Sequence, residues 1–489
     1  MSTEIELKLQ LDAKNARKLA AHPLLAGIAS QKQRLLNTYY DTPELTLRER
    51  RIAMRFRQKG WEWLLTVKSA EPASGGLAVR SEWEAAATPG HFDFTHVDAP
   101  ELKGFLEAAS ERLEPVFTTD FRRQTWRVAH GESLIELALD RGHISSRERR
   151  ETICEVELEL LEGRVEDIFG LTRALQKHLH LHPAVASKAE RGYKLFTNEP
   201  ARPFKAKAAT LDERLTPVEA FRGIALGCLE HFQRNEQGLL AGGEAEFIHQ
   251  ARVALRRLRS AIKLFAPVLP PEFVKAYGQT WQTLAGALGD ARNWDVFLEE
   301  TLPPIQALFP ADRDLKRLRN EARQRARRAR RSIVRLLAVR EYPRLIVEFT
   351  AAVYALGDTL PLPLKKFAGE RLTYHNRRAR KLAEQHATLT PDDRHRMRIA
   401  FKKLRYTTEF FAPLLPPNRL APYLAVLGRL QDELGLINDH VTAEMLIEEV
   451  LAKRPPGPIH GWMAGRHALL VKELPEALSA WLAQRRPTC

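Results

Sequence analysis

At least six short segments in the first 160 residues alternate apolar and charged side chains with a strict period of two. "EIELKLQL" (4–11) puts Glu4, Glu6 and Lys8 on one face and Ile5, Leu7 and Leu9 on the other, which is the pattern of a β-strand. "CEVELEL" (154–160) does the same with Glu155, Glu157 and Glu159. Between them, "RIAMRFRQ" aligns Arg55 with Arg57, "EWLLTVKS" offers Lys68, and "AVRSEWEAA" offers Arg80, Glu82 and Glu84. "DFRRQTWRV" adds Arg123 and Arg127, and "SLIELALD" adds Glu136 and Asp140. A single strand of this kind is ordinary solvated surface. If so many close on one another, their apolar faces must point outward beneath covering helices, and the charged faces then line a polar lumen. Turn signals at "QKGWEW" and "AHGES", and helical patterns near 12–25, 99–110 and 164–180, complete an α+β reading with a mainly antiparallel sheet.

Charges of both signs enclosed in one lumen need a compensating guest. Arginine and lysine suit phosphate oxygens, and clustered carboxylates suit hard cations such as Mg²⁺ or Mn²⁺. The guest this pattern calls for is a metal-bound oligophosphate. Trp61, Trp63 and Trp83 are the candidates for a stacking shelf beneath an organic group, or else pack under a helix.

The net charge of +15 lies in the second half of the chain. Residues 1–200 hold about 29 basic against about 30 acidic residues, so the remainder carries a surplus of about +16 and should attract a polyanion. The candidates are nucleic acid, an acidic membrane surface or a phosphate polymer. No apolar run is long enough for a membrane span, and no signal-peptide core opens the chain. Cys154, Cys228 and Cys489 match no metal or disulfide spacing, so a reducing cytoplasm is expected.

Beyond a Pro/Ala/Lys-rich linker (201–214), proline breaks separate long amphipathic helices over 215–489. This region is duplicated, with halves of about 215–360 and 361–489. "HQARVALRRLRSAIKLFAPVLPP" (249–271) aligns without gaps to "HRMRIAFKKLRYTTEFFAPLLPP" (395–417), with 11 of 23 pairs identical. Each copy carries a basic stripe at helical spacing: His249, Arg252, Arg256 and Arg259, then His395, Arg398, Lys402 and Arg405. A pseudo-twofold bundle would bring both stripes to one groove. Arginines, not acids, accompany the histidines, which argues against a metal site there. "LKRLRNEARQRARRARRSIVRLL" (315–337) and "YHNRRARKL" (374–382) are also helical and basic. The basic helices mainly interleave alanine and leucine where RNA binding usually shows aromatic stacking residues, so nucleic acid is the less favoured partner.

"EIELK", "YYDT" (39–42), "RFR", "TVK", "RSEWE", "ELALDRG" and "CEVELEL" followed by "SKAERGY" closely resemble the CYTH superfamily of triphosphate tunnel metalloenzymes, over residues 1–200. That resemblance implies an eight-stranded antiparallel β-tunnel with flanking helices and divalent-metal-dependent hydrolysis of a triphosphate. Carried over by position, Glu4, Glu6, Lys8 and Lys68 would be catalytic, and Glu4, Glu6, Glu155, Glu157 and Glu159 would hold Mg²⁺ or Mn²⁺. Lys8, Arg55, Arg57, Lys68, Arg80, Arg123, Lys188 and Arg191 would grip the phosphates. Residues 215–489 resemble the CHAD domain through "HQARVALRRLR" with "LGDARNWDVF" and "HRMRIAFKKLRY" with "LGLINDHV". This implies inorganic polyphosphate as a partner of both basic stripes, and a cytoplasmic protein associated with polyphosphate granules. The expected activity is inorganic triphosphate hydrolysis. Thiamine or nucleoside/RNA 5′-triphosphate hydrolysis, or polyphosphate binding without catalysis, are the alternatives.

Overall fold

The alternating segments become eight antiparallel strands: β1 (Ser2–Gln10), β2 (Ser30–Asp41), β3 (Ile52–Lys59), β4 (Glu62–Ser69), β5 (Leu77–Ala86), β6 (Glu114–His130), β7 (Ser133–Ser146) and β8 (Arg149–Glu162). A two-residue β9 (His182–Pro183) lies beside β1. The strands pair in the order β5-β4-β3-β2-β6-β7-β8-β1, and β1 also pairs with β5, so the sheet closes into a tunnel. The computed structural model describes residues 2–69, 74–242, 244–357, 362–386, 390–451 and 457–488.

Closure explains the polarity of the strands. Their apolar faces pack outward under helices α1 (Ala13–Ala20), α2 (Thr46–Glu49), α3 (Pro100–Ala109) and α4 (Val165–Gln176). One outer core joins Leu7, Leu9, Leu137 and Val156 to Leu19, Ile168 and Leu171, and another joins Met54, Phe56, Val67 and Trp83 to Phe94 and Leu106. Helix α5 (Lys188–Thr197) instead packs on lumen-facing residues: Tyr193 joins a cluster with Leu35, Tyr39, Phe117 and Phe121. Ser187 caps that helix by accepting from the Glu190 amide at 3.1 Å.

The chain divides into two compact units, Met1–Arg202 with Val339–Ala355, and Pro203–Ala338 with Leu356–Cys489. The second unit is helical: α6 (Pro217–Leu240), α7 (Ala245–Phe265), α8 (Pro271–Val296), α9 (Leu302–Leu308) and α10 (Arg313–Ala338). Next comes α11 (Glu341–Tyr354), which belongs to the first unit, and then α12 (Leu364–Glu384), α13 (Pro391–Phe410), α14 (Pro417–Leu451) and α15 (Gly457–Leu482). Helix α11 lays Val347, Ala351 and Tyr354 on the outer core of the tunnel, and Arg344 donates to the Gln176 carbonyl at 2.7 Å. Gly75 accommodates it: a Cβ there would fall 1.9 Å from Thr350 Oγ1, and φ is +62°.

Both sequence repeats fold alike. "APVLPP" and "APLLPP" each end a helix in a 3₁₀ turn (Ala266–Val268, Ala412–Leu414), and proline then starts the next helix. The repeats differ downstream, where the first copy is one residue longer between its Leu-Gly and Asn. That copy contains a π turn at Phe297–Thr301, whereas α14 runs through as α-helix.

Candidate active site

Register across three strands aligns Arg123 with Asp140 and Asp140 with Glu155. Arg123 forks onto Asp140 with Nε and Nη2 at 2.8 and 2.7 Å, and its Nη2 also meets Glu157. From α5, Lys188 Nζ lies 2.7 Å from Asp140 and 2.9 Å from Glu157, and also contacts Glu155. Arg191 donates to Glu155 at 2.8 Å and to the Thr152 carbonyl at 2.6 Å. Asp140 and Glu155 are fully buried. Burial opposes the Lys188 charge, but Asp140, Glu155 and Glu157 outweigh it and hold the ammonium above lysine's ordinary range. Burial likewise opposes ionisation of Glu157, yet Lys188, Arg123 and Lys8 keep it well below the usual carboxylate value.

A second group stands beside it. Lys68 Nζ bridges Glu4 at 2.7 Å and Glu82 at 2.8 Å, and Lys8 Nζ lies 3.4 Å from Glu6 and 3.5 Å from Glu157. Burial raises Glu4, Lys68 pulls it back, and Glu6 and Glu82 raise it further. Glu159 is pushed up to about 7, first by burial and then by Glu4, with Glu136 and Glu6 adding to the rise.

The two groups are balanced by cations differently. Asp140, Glu155 and Glu157 bring carboxylate oxygens within 4.8 Å of one another, but Arg123, Lys188 and Arg191 already neutralise them. Glu6 raises Glu4, both raise Glu159, and Lys68 on Glu4 with Lys8 on Glu6 offsets part of that repulsion. Both groups supply the hard carboxylate oxygens that suit Mg²⁺ or Mn²⁺.

Across the lumen, Arg55 donates to Tyr39 Oη at 3.1 Å, while its buried Nε and Nη2 have no hydrogen-bond partner among the described residues. Arg57 Nε donates to Asn37 Oδ1 at 3.2 Å, and its Nη1 lies 3.3 Å from Glu84, which also accepts from Thr66 at 2.7 Å. The side chain of Arg80, the remaining predicted phosphate ligand, lies outside the described residues. Asp140 lies in the lumen as the alternation places it, though it was not among the expected metal or phosphate ligands, and Asn37 and Tyr39 join it without having been singled out. The alternation of "IELALD" and "LNTYYD" is the signal that marks them. The tryptophans do not line the lumen. Trp83 is buried in the outer core and donates to Asp98 at 2.6 Å, Trp63 packs against that core, and Trp61 is fully exposed after β3.

In the helical unit, Arg252 and Arg256 on α7 meet Arg398 and Lys402 on α13, with Asp439 on α14 among them. Burial and the neighbouring Arg256 push Arg252 down to about 10. Burial, with Arg256, Arg398 and Arg252, pushes Lys402 down to about 6. The Nε atoms of Arg256 and Arg398 are buried without a hydrogen-bond partner among the described residues. His249 stands near Glu246 and Arg292 and is lowered chiefly by burial. Arg259 donates to Gln282 at 3.1 Å, Arg405 to Glu409 at 2.6 Å, and His395 is exposed. The duplicated stripes therefore converge through their middle residues, and their ends diverge.

The CYTH domain model matches residues 2–193, and the CHAD domain model matches residues 223–448. An inorganic triphosphatase of Haemophilus influenzae is 34% identical over 200 residues, covering 40% of this chain and 55% of that protein. The chain thus spans about half the length of this relative. Among solved structures, the CHAD domain from the plant Ricinus communis is 31% identical, with a TM-score of 0.49, covering 59% of this chain and 99% of that one. The Hippeastrum protein HpAC1, described as having a dominant triphosphatase activity, is 19% identical, with a TM-score of 0.30, covering 40% and 95%.

Proposed function

Because the chain belongs to the CYTH domain family over residues 2–193 and to the CHAD domain family over residues 223–448, we propose that its tunnel hydrolyses inorganic triphosphate and its helical unit binds inorganic polyphosphate. The observation that carries the first half is one lumen that gathers carboxylates, among them Glu4, Glu6 and Glu159, with an arginine, Arg55, whose buried Nε and Nη2 make no hydrogen bond among the described residues. Arg55, Arg57, Lys8, Lys68, Arg123, Lys188 and Arg191 would distribute along the phosphate chain and neutralise charge that grows at the leaving pyrophosphate. The ion pairs that now hold Arg123 and Lys188 fix their positions before substrate enters. Glu4, Glu6 and Glu159 would hold Mg²⁺ or Mn²⁺, which supplies Lewis-acid polarisation of the phosphate oxygens. The carboxylates around Lys68 orient water for in-line attack on a terminal phosphorus, yielding phosphate and pyrophosphate.

Placement of Trp61, Trp63 and Trp83 away from the lumen favours inorganic over organic triphosphate, since a base or thiazole ring loses those stacking partners. With inorganic triphosphate, thiamine triphosphate and ATP supplied together, Mg²⁺- or Mn²⁺-dependent phosphate release should come at least tenfold faster from the inorganic substrate. Equal or faster use of an organic substrate would transfer the assignment to that compound. No release from a folded protein with either metal would leave binding without catalysis.

The cluster of Arg252, Arg256, Arg398 and Lys402 supports polyphosphate binding in the helical unit, because buried guanidinium donors there lack acceptors. Free Lys402 is neutral above about pH 6, and a bound phosphate chain would restore its charge. Binding should then take up a proton between that pH and lysine's ordinary value, so affinity falls as pH rises across the window. Calorimetric titration at pH 8 in two buffers of different ionisation enthalpy measures this uptake. Lys402→Met should abolish it, and wild-type binding without proton uptake would refute the role. No described helix is long and apolar enough to cross a membrane. We place the protein in the cytoplasm, on polyphosphate granules where these exist.

A further inference from the structure

The two copies in the helical unit are offset by 146 residues, so each side of the bundle can be compared with its mate. Over α7 and α13 that offset matches Arg257 to Lys403, Arg259 to Arg405 and Lys263 to Glu409. On one side Glu409 accepts both Arg257, at 2.5 Å, and Arg405, at 2.6 Å. On the other, Lys263 stands in the place of that acid, and burial, then Arg259 and Lys403, lower its ammonium. Arg259 and Lys263 are four residues apart, so an attractive helical pair has become a repulsive one. Helices α6 and α12 differ in the same sense. The offset matches Phe221, which packs on Phe265, to Phe367, which packs on Phe411. It also matches the fully buried Ala225, Leu229 and Phe232 to Arg371, His375 and Arg378. Burial, with Lys403, Arg371 and Arg378, pushes His375 down to about 4. None of Arg259, Lys263, Arg371, Arg378 and Lys403 forms an ion pair among the described residues, and Nε of both Arg259 and Arg371 is buried there without a hydrogen-bond partner.

We propose that bound polyphosphate leaves the central cluster of Arg252, Arg256, Arg398 and Lys402 in one direction only, past Lys263 and Lys403 and onto Arg371 and Arg378 of α12. The path rests on polyphosphate being the ligand of that cluster, and it extends the same site. Continuity supports it. Arg256, Arg259 and Lys263 follow one another at helical spacing on α7, and Lys402 and Lys403 are consecutive on α13. Lys263 lies seven residues beyond Arg256, about 10 Å along the helix axis. Lys263 and Arg378 are exposed, and Arg371, His375 and Lys403 are half-buried, so a chain can reach them from solvent. Unpaired guanidinium donors gain acceptors there, and phosphate relieves the repulsion between Lys263 and its neighbours. On the opposite side Glu409 already occupies Arg257 and Arg405, while Leu229 and Phe232 present no charge. Only a chain long enough to span both clusters makes the second set of contacts, so affinity should rise with chain length.

The test is fluorescence anisotropy of the full chain with end-labelled polyphosphate of about four and about one hundred phosphates, without divalent metal. Lys263→Glu supplies the acid that Glu409 provides on the other side, so the helical circular dichroism should be retained. It should weaken the long chain at least tenfold and the short chain by less than about twofold. Arg371→Ala/Arg378→Ala should act in the same way. Arg319→Glu makes the same change in net charge at an exposed position on α10, outside both clusters, and should leave both affinities within about twofold. Unchanged long-chain affinity in Lys263→Glu, or an equal loss in Arg319→Glu, would overturn the one-sided path and leave the central site standing. An equal loss for both lengths in Lys263→Glu would place that residue in the central cluster and likewise overturn the path. Failure of the wild type to bind either length would overturn the polyphosphate reading itself, and the path with it.

Discussion

Glu4→Gln/Glu6→Gln is expected to reduce metal-dependent phosphate release by about a thousandfold or more, with the fold intact. Both changes are nearly isosteric, and neither strands a buried cation. Lys68 loses Glu4 at 2.7 Å but keeps Glu82 at 2.8 Å, and Lys8 loses Glu6 at 3.4 Å but keeps Glu157 at 3.5 Å. The pair does remove two of the three acids proposed to hold the divalent ion. It also removes two of the carboxylates that raise Glu159, so that group should move back toward the ordinary glutamate range. Steady-state rates over a titration of Mg²⁺ and Mn²⁺, beside calorimetric metal binding, provide the check. Wild-type rates in the double variant would remove these residues from the machinery. Lost rates with unchanged metal affinity would assign them to orienting water instead.

The largest stability effect should come from Asp140→Ala. Asp140 is fully buried, accepts both arms of the Arg123 fork, and holds Lys188 at 2.7 Å. Removing it leaves two buried cations to share Glu157 and Glu155, and loss of one partner from a buried network costs about 3–5 kcal/mol. Reversible urea unfolding would show this as a lower midpoint with an unchanged slope. Asp140→Asn should cost less, because its amide oxygen still accepts one of the fork's donors. If both variants melted with the wild type, α5 would be held by its apolar contacts and not by this network. Loss of Asp140 should also weaken triphosphate binding, since Arg123 and Lys188 would no longer be held apart in place.

Several features were legible without coordinates because they are local. Alternation of apolar and charged residues is a property of consecutive side chains, and it identified seven of the eight tunnel strands and the direction of each face. The prolines of "APVLPP" and "APLLPP" marked helix breaks through the missing amide, and the same turns recur at both copies. Duplication of the basic stripe was visible in the alignment alone. Strand β2 was the least legible. Its first half, "SQKQRLL", alternates poorly, and only "YYDT" marked the region.

What the chain could not announce locally depends on pieces far apart in sequence meeting at a fixed offset. The pairing register of β6, β7 and β8 sets Arg123, Asp140 and Glu155 in a row, and a slip of one residue would send each to the outer face. Three tryptophans that could have formed a shelf fall on the opposite parity or beyond a strand end. Helix α11 has the same amphipathic period as its neighbours, yet its apolar stripe finds the outer core beside α4, because periodicity records how a face is made and not what covers it. In the helical unit, crossing geometry selects Arg252, Arg256, Arg398 and Lys402 from two equivalent stripes and turns Arg259 and Arg405 toward other partners. Sequence determined which faces carry charge. Only tertiary packing decided which charges share a volume, and the electrostatics of both sites arises from that sharing.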